Sequence, residues 1–365
     1  MSTFTLVESP ATNLRIVCLS KRINHHTKSG GYDQMVRHLG AIQVNGPPLQ
    51  SVVSWLMGKV WEYTSRGRLR HPSYGFSDRI AEEVAFWTAW RYRAQIVHAL
   101  YGEEQISALL HRSSLLPGGL VATFHLPLAQ VRAIFDNVPN AVMRRLAGVV
   151  VVGSREVAGF EDWIGQGKVV FVPHGVDTIS FQPAPSRSNG APRLLFVGWH
   201  MRDFETAHIT MDLCAKAKLD VQFDVVLRRD KYMFFTGCSN VTYHSGLSEH
   251  ELLQLYQKAD ALFLPLVDAT ANNSVLESLA CGTPVITSDV GSIRDYVNET
   301  CGWLLPPSNP GAAFACVAAL AADPTLATSR RSSARAKAEQ LSWPVVSTDL
   351  LRSYARLAAT GRFAP

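Results

Sequence analysis

Short apolar runs recur along the chain and alternate with stretches that have the spacing of amphipathic helices. In the first half these runs occupy 14–19, 95–99, 120–124, 149–152 and 169–172. Near-continuous apolar runs are typical of parallel strands that helices cover on both faces. Strands that alternate with helices predict a doubly wound α/β domain.

The alternation stops once and then restarts. Residues 181–192 are rich in Pro, Ser and Gly and have no apolar periodicity, which is typical of a linker. After them we predict a helix over 206–217 and strands over 194–198, 223–227, 261–264 and 284–287. A chain of 365 residues is long enough for two cores. We therefore predict two Rossmann-like α/β domains across a cleft, residues 1–184 and 185–343.

The composition excludes several classes of protein. Apolar residues make up 47% and charged residues 18%, which argues against a disordered chain. The formal charge of +5 leaves two interpretations open: ordinary surface variation, and attraction to phosphorylated ligands or an anionic membrane. There is no long Lys/Arg run or zinc-finger pattern, so we expect no nucleic-acid partner. The six cysteines form no CxxC pair, and we expect no metal site.

The N-terminus has no charged region followed by an apolar one, and no uncharged apolar stretch reaches about 20 residues. We therefore expect no signal peptide, no membrane span and a cytoplasmic location. Residues 51–70 combine an apolar helical face with basic residues. Two interpretations stay open for this segment: peripheral contact with the inner face of a membrane, and a helix-packing face with a solvated basic end.

The segment 268–284 carries the strongest indication of chemistry. We predict a helix from near Thr270, a good N-cap residue, to Gly282. First-turn N–H groups have no intrahelical partner and, with the helix dipole, suit a diphosphate. Glu277 lies one to two turns further on, where its carboxylate can accept hydrogen bonds from the hydroxyls of a ribose or simply face solvent. The predicted phosphate-binding backbone belongs to Asn272, Asn273, Ser274 and Val275.

Further candidates lie after predicted strands. Gly30 and Gly31 precede a helix predicted over 32–39, and they either let the backbone approach a ligand closely or form a plain turn. His125 follows the strand 120–124, at the edge where open α/β sheets bind ligands, although a lone histidine is more often structural.

Glycine and two arginines follow the strands of the second half. Gly198 ends the strand 194–198, and Arg202 lies in the loop behind it. Arg228 follows the strand 223–227. Both arginines are candidate phosphate ligands, although surface arginines are common.

Together these segments resemble the GT-B glycosyltransferases of family 4, the large retaining group that uses nucleotide sugars. The resemblance is weak over about 45–93. Ser342, Trp343 and Tyr354 look like the family's last helix, which implies that 344–365 packs back on the first domain. The stretches that carry the resemblance are 30–31, 123–125, 172–177, 252–260, 276–286 and 289–291.

The resemblance implies transfer of a sugar, without a metal ion or cofactor and with retention of anomeric configuration, from a nucleotide-diphosphate donor. We expect UDP or GDP as the nucleotide, and a glycan, a glycolipid or a metabolite hydroxyl as the acceptor. By resemblance, Gly30 and Gly31 line the diphosphate and sugar, and His125 lies near the donor sugar. His125 and Arg202 are then the expected catalytic residues, with Gly198 and Arg228 beside the donor.

Four positions depart from the family's pattern, and one of them is His174, which stands where the family usually has Asn. A second glutamate often stands eight residues before Glu277, where this chain has Ala269 next to Asp268. Trp199 and Phe204 stand where the family often has Arg and Lys. These departures leave open a GT-B-shaped nucleotide-sugar binding protein with little or no transferase activity, and less strongly a nucleotide-sugar epimerase or phosphorylase.

Overall fold

A computed structural model describes residues 14–21, 30–46, 74–184 and 190–357. The segment 51–70, predicted to contact a membrane or a neighbouring helix, lies outside the described residues. The chain forms two compact units. The first contains residues 1–26, 31–174 and 343–365, and the second contains 27–30 and 175–342.

The first unit is built on a six-stranded, all-parallel sheet with the order β2-β1-β3-β4-β5-β6. Its strands are β1 (Ile16–Ser20), β2 (Ile42–Asn45), β3 (Ile96–Ala99), β4 (Gly119–Phe124), β5 (Gly148–Val151) and β6 (Val169–Phe171). The first six helices of the described chain are α1 (Val36–Leu39), α2 (Phe76–Tyr92), α3 (Gly102–Gln105), α4 (Leu128–Ile134), α5 (Asn140–Met143) and α6 (Glu156–Ile164). Two 3-10 helices, Tyr32–Met35 and Leu110–Leu115, complete this part.

The apolar runs explain this sheet. Every residue of β1, β3, β4 and β5 is buried, as expected for strands covered on both faces. The five strands predicted from apolar runs in this half are therefore confirmed. The helix predicted over 32–39 is present as a 3-10 turn that continues into α1.

The second unit repeats the design with the strand order β12-β11-β10-β7-β8-β9, again all parallel. Its strands are β7 (Arg193–Val197), β8 (Gln222–Val226), β9 (Val241–His244), β10 (Ala261–Leu264), β11 (Val285–Ser288) and β12 (Gly302–Leu305). Its helices are α7 (Phe204–Lys216), α8 (Glu249–Lys258), α9 (Asn273–Ala280), α10 (Pro310–Ala322), α11 (Thr325–Thr328) and α12 (Arg331–Gln340). Arg229–Phe235 and Ile293–Asp295 are 3-10 helices.

The predicted strands of this half are confirmed, and the helix predicted over 206–217 begins slightly earlier, at Phe204. Asp203 sets that start, because its side chain accepts a hydrogen bond from the N–H of Thr206. In the predicted linker, residues 181–184 and 190–192 have no helix or strand, and 185–189 lie outside the described residues.

One helix boundary was predicted wrongly. The helix expected to start near Thr270 starts at Asn273, because Asn272 has extended backbone angles and caps the helix with its own side chain. Its predicted end is confirmed. Gly282 follows the C-cap residue Cys281 with a φ of 65°, a left-handed conformation that glycine adopts without strain.

The last described helix, α13 (Trp343–Leu357), belongs to the first unit. The hydroxyl of Tyr354 contacts Nδ1 of His98 at 2.5 Å, and Nε2 of the same ring lies 2.8 Å from the hydroxyl oxygen of Thr123. Gly148 leaves room for the helix, because a Cβ there would lie 2.5 Å from Leu357. These contacts fix the helix on β3, β4 and β5.

Among the described residues, no single helix is long and apolar enough to cross a membrane. One bent pair of helices, 310–322 with 325–340, reaches that length and hydropathy only when the two are taken together.

Candidate active site

The N-terminus of α9 lies behind β10 and is held by its capping residue. The side-chain oxygen of Asn272 accepts hydrogen bonds from the N–H groups of Ser274 at 3.1 Å and Val275 at 3.4 Å. Two of the N–H groups predicted to bind phosphate are therefore engaged by Asn272. A phosphate at this helix end must share these donors with the Asn272 amide or displace it.

Glu277 is buried on α9, with 7% of its surface exposed, and is not a solvent-facing glutamate. Its Oε2 accepts a hydrogen bond from the hydroxyl of Tyr256 at 2.9 Å. Burial raises the pKa of Glu277 to about 7, and the Tyr256 hydrogen bond opposes that rise.

Arg202 reaches the first turn of α9 from the loop after β7. This loop pairs with the loop after β10 through a bridge between Arg202 and Leu266. Its guanidinium donates three hydrogen bonds: to the carbonyl oxygens of Val197 at 3.0 Å and His200 at 2.8 Å, and to the hydroxyl of Ser274 at 3.2 Å. Burial lowers the pKa of Arg202 to about 10, so the group stays cationic at neutral pH.

Gly198 makes the position of Arg202 possible. Its φ is 80°, and a Cβ there would lie 3.0 Å from Nη2 of Arg202. A larger residue would therefore strain the backbone and press on the guanidinium. The structure brings Gly198, Arg202, Ser274 and Glu277 together, as a donor site predicted from separate segments requires.

The link between the arginine and the glutamate is Tyr256 on α8, which the site prediction missed. Tyr256 is fully buried, and its hydroxyl interacts with Ser274 as well as with Glu277. Tyr256 lies in the run 252–260 that carried the family resemblance, but nothing in that run places its hydroxyl at Glu277.

Arg228 and Asp268, two further candidates from the sequence, make other contacts in the structure. Arg228 is exposed after β8 and pairs with Asp230 at 3.1 Å, so the structure does not bring it into the Arg202 network. Oδ1 of Asp268 accepts a hydrogen bond from the N–H of Ala269 at 2.8 Å. The backbone of Gly291 lies close against this loop, and a Cβ at Gly291 would lie only 2.1 Å from the Ala269 carbonyl oxygen.

In the first unit, Gly31 precedes the 3-10 helix Tyr32–Met35 with a φ of 105°, a conformation that favours glycine. Gly30 before it is partly exposed and has no regular structure. The N–H of Tyr32 donates to the hydroxyl of Tyr101 at 2.8 Å, which ties this turn to the end of β3.

His125 follows β4 inside an aromatic enclosure. Its ring stacks on Tyr101 with centroids 4.9 Å apart, meets the edge of Tyr32 at 4.8 Å and lies 6.1 Å from His174. Oε1 of Glu103 accepts a hydrogen bond from the backbone N–H of His125 at 3.2 Å and lies 3.3 Å from Nδ1 of the His125 ring. The site prediction missed Glu103, and its position two residues after Tyr101 gives no signal of this contact.

In the described part of the chain, no cluster of three or more His, Cys, Asp or Glu side chains has a geometry suited to a metal ion. The second unit offers a donor the Arg202 guanidinium, the buried Glu277 carboxyl and the N-terminus of α9.

Comparison with known proteins finds similarity to glycosyltransferases. Residues 191–323 match the family model described as Glycosyl transferases group 1. The MMP alpha-(1->4)-mannosyltransferase of Mycolicibacterium hassiacum is 24% identical over 274 residues, covering 66% of this chain and 66% of that protein. The D-inositol 3-phosphate glycosyltransferase of Kineococcus radiotolerans is 24% identical over 320 residues, covering 76% of this chain and 69% of that protein. The matches thus span about two thirds of these relatives.

Solved structures share the fold. Sucrose-phosphate synthase from Thermosynechococcus elongatus superposes with a TM-score of 0.68 at 18% identity, covering 95% of this chain and all of that one. Anabaena HepE in complex with UDP and glucose gives a TM-score of 0.65 at 12% identity, covering 94% of this chain and 99% of that one. With its two parallel six-stranded sheets, the chain has the GT-B fold with two Rossmann-like domains, and its residues 191–323 match the group 1 glycosyl transferases.

Proposed function

We propose that the protein transfers a sugar from a UDP- or GDP-sugar to a hydroxyl of a glycan, a lipid-linked sugar or a metabolite. In this proposal transfer retains the anomeric configuration and needs no metal ion. The observation that carries the proposal is the arrangement at α9, where a fixed guanidinium and a buried carboxyl are joined through Ser274 and Tyr256.

This arrangement suits a nucleoside diphosphate. A guanidinium beside a helix N-terminus combines two sources of positive potential for a diphosphate. Glu277 lies on the same helix, where its carboxylate is placed to accept hydrogen bonds from ribose hydroxyls. The complex of the structural neighbour HepE with UDP and glucose supports a nucleotide donor of this kind.

In the proposed mechanism, the main task of the protein is to stabilise the departing diphosphate. Arg202 and the α9 terminus supply positive charge that a metal ion supplies in other enzymes. Because the Arg202 guanidinium already donates three hydrogen bonds to protein acceptors, it needs little reorganisation when the leaving group becomes charged. His125 is assigned to the sugar side, where the acceptor hydroxyl attacks the same face that the diphosphate leaves.

Calorimetric titration and product analysis with UDP-, GDP- and ADP-sugars test the proposal. We expect UDP or GDP to bind, and the matching sugar nucleotide to release free nucleotide slowly with water as the acceptor. Glu277→Ala is expected to weaken nucleotide binding by about 1–3 kcal/mol. Glu205→Ala, an exposed glutamate on α7, is the control and should bind normally.

The outcomes separate the alternatives. Absence of nucleotide binding refutes the donor site, and unchanged affinity in Glu277→Ala refutes the role of Glu277. Tight binding with neither hydrolysis nor transfer to any acceptor supports the binding-protein alternative.

The proposal includes the cellular location of the protein. We assign the protein to the cytoplasm, with peripheral contact at the inner face of the membrane through residues 51–70. A relative from Mycobacterium leprae, 24% identical over 259 residues that cover 67% of this chain and 69% of that protein, is named a phosphatidyl-myo-inositol mannosyltransferase. Co-sedimentation with vesicles of anionic lipid tests the contact, and no binding at low salt rejects it.

A further inference from the structure

The hydroxyl of Tyr256 lies between the two groups that the donor site depends on. It donates a hydrogen bond to Oε2 of Glu277 at 2.9 Å and interacts with the hydroxyl of Ser274. Nη2 of Arg202 in turn donates to that serine hydroxyl at 3.2 Å. Because a guanidinium can only donate and an ionised carboxylate can only accept, the chain runs in one direction, from Arg202 through Ser274 and Tyr256 to Glu277.

The packing of Tyr256 fixes its hydroxyl independently of Glu277. The side chain is fully buried in the core of the second unit. Its ring meets Phe181 edge to face at 6.1 Å, and its carbonyl oxygen accepts a hydrogen bond from the Thr283 hydroxyl at 2.7 Å. The position of the tyrosine hydroxyl is therefore set by its own packing.

The surroundings of Glu277 otherwise disfavour its ionised form. Burial and the charge of Glu249 on α8 both raise the pKa of Glu277, and the Tyr256 hydroxyl lowers it. Cys281, the C-cap residue of α9, is an ionisable neighbour of Tyr256, and Arg202 reaches the site from the loop after β7 through Ser274. A carboxylate accepts hydrogen bonds from two hydroxyls, whereas a protonated acid has less accepting capacity.

We propose that Tyr256 is a positioning residue of the nucleotide site, which holds Glu277 in one orientation and favours its ionised form as the acceptor for ribose hydroxyls. The inference rests on the proposed function, in which Glu277 binds the ribose. Tyr256 itself does not touch the nucleotide. Its effect on binding is therefore exerted through Glu277 and depends on pH.

The test is Tyr256→Phe, with Tyr296→Phe as a matched control because Tyr296 is also fully buried in the second unit. The dissociation constants of UDP and GDP are measured from pH 6 to pH 9. In the wild type, affinity is expected to rise as Glu277 ionises. In Tyr256→Phe we expect affinity about tenfold weaker at pH 7, the effect of losing one hydrogen bond to a charged group, with recovery towards the wild-type value at pH 9.

A second readout does not need a nucleotide. In protein labelled with ¹³C at the glutamate carboxyl carbon, the titration midpoint of Glu277 should be higher in Tyr256→Phe than in the wild type and the control. An unchanged midpoint overturns the inference, and so does a loss of affinity that is equal at all pH values, since that indicates only a structural role. If the midpoint shifts but neither protein binds a nucleotide, the proposed function fails and the positioning of Glu277 by Tyr256 stands.

Discussion

Burial of Glu277 has a cost in stability that a single substitution should remove. The pKa of Glu277 is raised from 4.5 to about 7 in the folded protein. Between these two pH values the unfolded chain has released the proton that the folded protein still binds, so stability falls as the pH rises through this window. The difference between the pKa values of Glu277 in the unfolded and folded protein corresponds to about 3 kcal/mol of unfolding free energy.

Glu277→Gln keeps the size of the side chain and an acceptor for the Tyr256 hydroxyl but does not ionise. At pH 8 the unliganded variant should therefore be more stable than the wild type by up to about 3 kcal/mol. At pH 4.5 and below the advantage should disappear, because both side chains are then neutral. The same variant should bind nucleotide more weakly. Higher stability with weaker binding is expected when a group kept in an unfavourable environment serves function.

Urea unfolding followed by tryptophan fluorescence at pH 4.5, 6, 7 and 8 measures the difference. Glu205→Gln on the exposed side of α7 is the control and should track the wild type at every pH. A stability difference between Glu277→Gln and the wild type that is the same at pH 4.5 and pH 8 would refute the reasoning, since the cause would then be packing and not ionisation.

Three further substitutions test other parts of the structure. Glu103→Gln should lower kcat about tenfold through His125, the effect of losing one charged contact, with nucleotide affinity unchanged, whereas Glu104→Gln, which loses an ion pair with Lys21, should not; steady-state kinetics decide. Burial lowers the pKa of His98 from 6.5 to about 3, so the folded protein holds the ring neutral. Up to about 5 kcal/mol of unfolding free energy is therefore lost as the pH falls from 6.5 towards 3. In His98→Gln the unfolding free energy should fall less steeply over this pH range. Gly291→Ala, at φ 50° and against the Ala269 carbonyl, should lower the free energy of unfolding by about 1–3 kcal/mol in urea titrations.

Of the twelve strands in the described residues, nine were predicted from the sequence, and β2, β9 and β12 were missed. β2, β9 and β12 lie at sheet edges. In β9 the two middle residues, Thr242 and Tyr243, are exposed, so the strand has no continuous apolar run. Helix α2 was also missed, since Asp78 and Glu82 are buried in it and hide its apolar face. Glu82 is satisfied there by the Tyr74 hydroxyl and by N–H groups of the 106–110 turn, which no local pattern shows.

In the candidate site, too, some residues could be proposed from the sequence and others could not. Arg202 and His125 each follow a strand, where the parallel sheet of their own unit ends, and Glu277 lies on a helix that follows a strand, so sequence order was enough to propose them. Their partners could not be named this way. Tyr256 precedes Glu277 by 21 positions, and Glu103 precedes His125 by 22, so each contact depends on how two separate elements pack.

Arg202 offers a physical account of the missing family arginine. Trp199 occupies the position directly after Gly198 where that arginine often stands, and it is half exposed. Arg202, three residues later, turns back so that its guanidinium reaches the Val197 carbonyl and Ser274. The charge has therefore moved along the loop and still reaches the first turn of α9.

Moving the charge back tests this account. Arg202→Gln should lower turnover much more than nucleotide affinity, because leaving-group charge develops mainly in the transition state. Adding Trp199→Arg to that variant should restore part of the lost kcat, whereas Trp199→Arg alone should change kcat little, since the site already has its cation. Steady-state kinetics of all three variants, with thermal unfolding as the check on folding, decide the matter. A double variant no faster than Arg202→Gln would show that the loop does not accept the charge at both positions, and Arg202 would then act through its fixed geometry and not as an exchangeable charge.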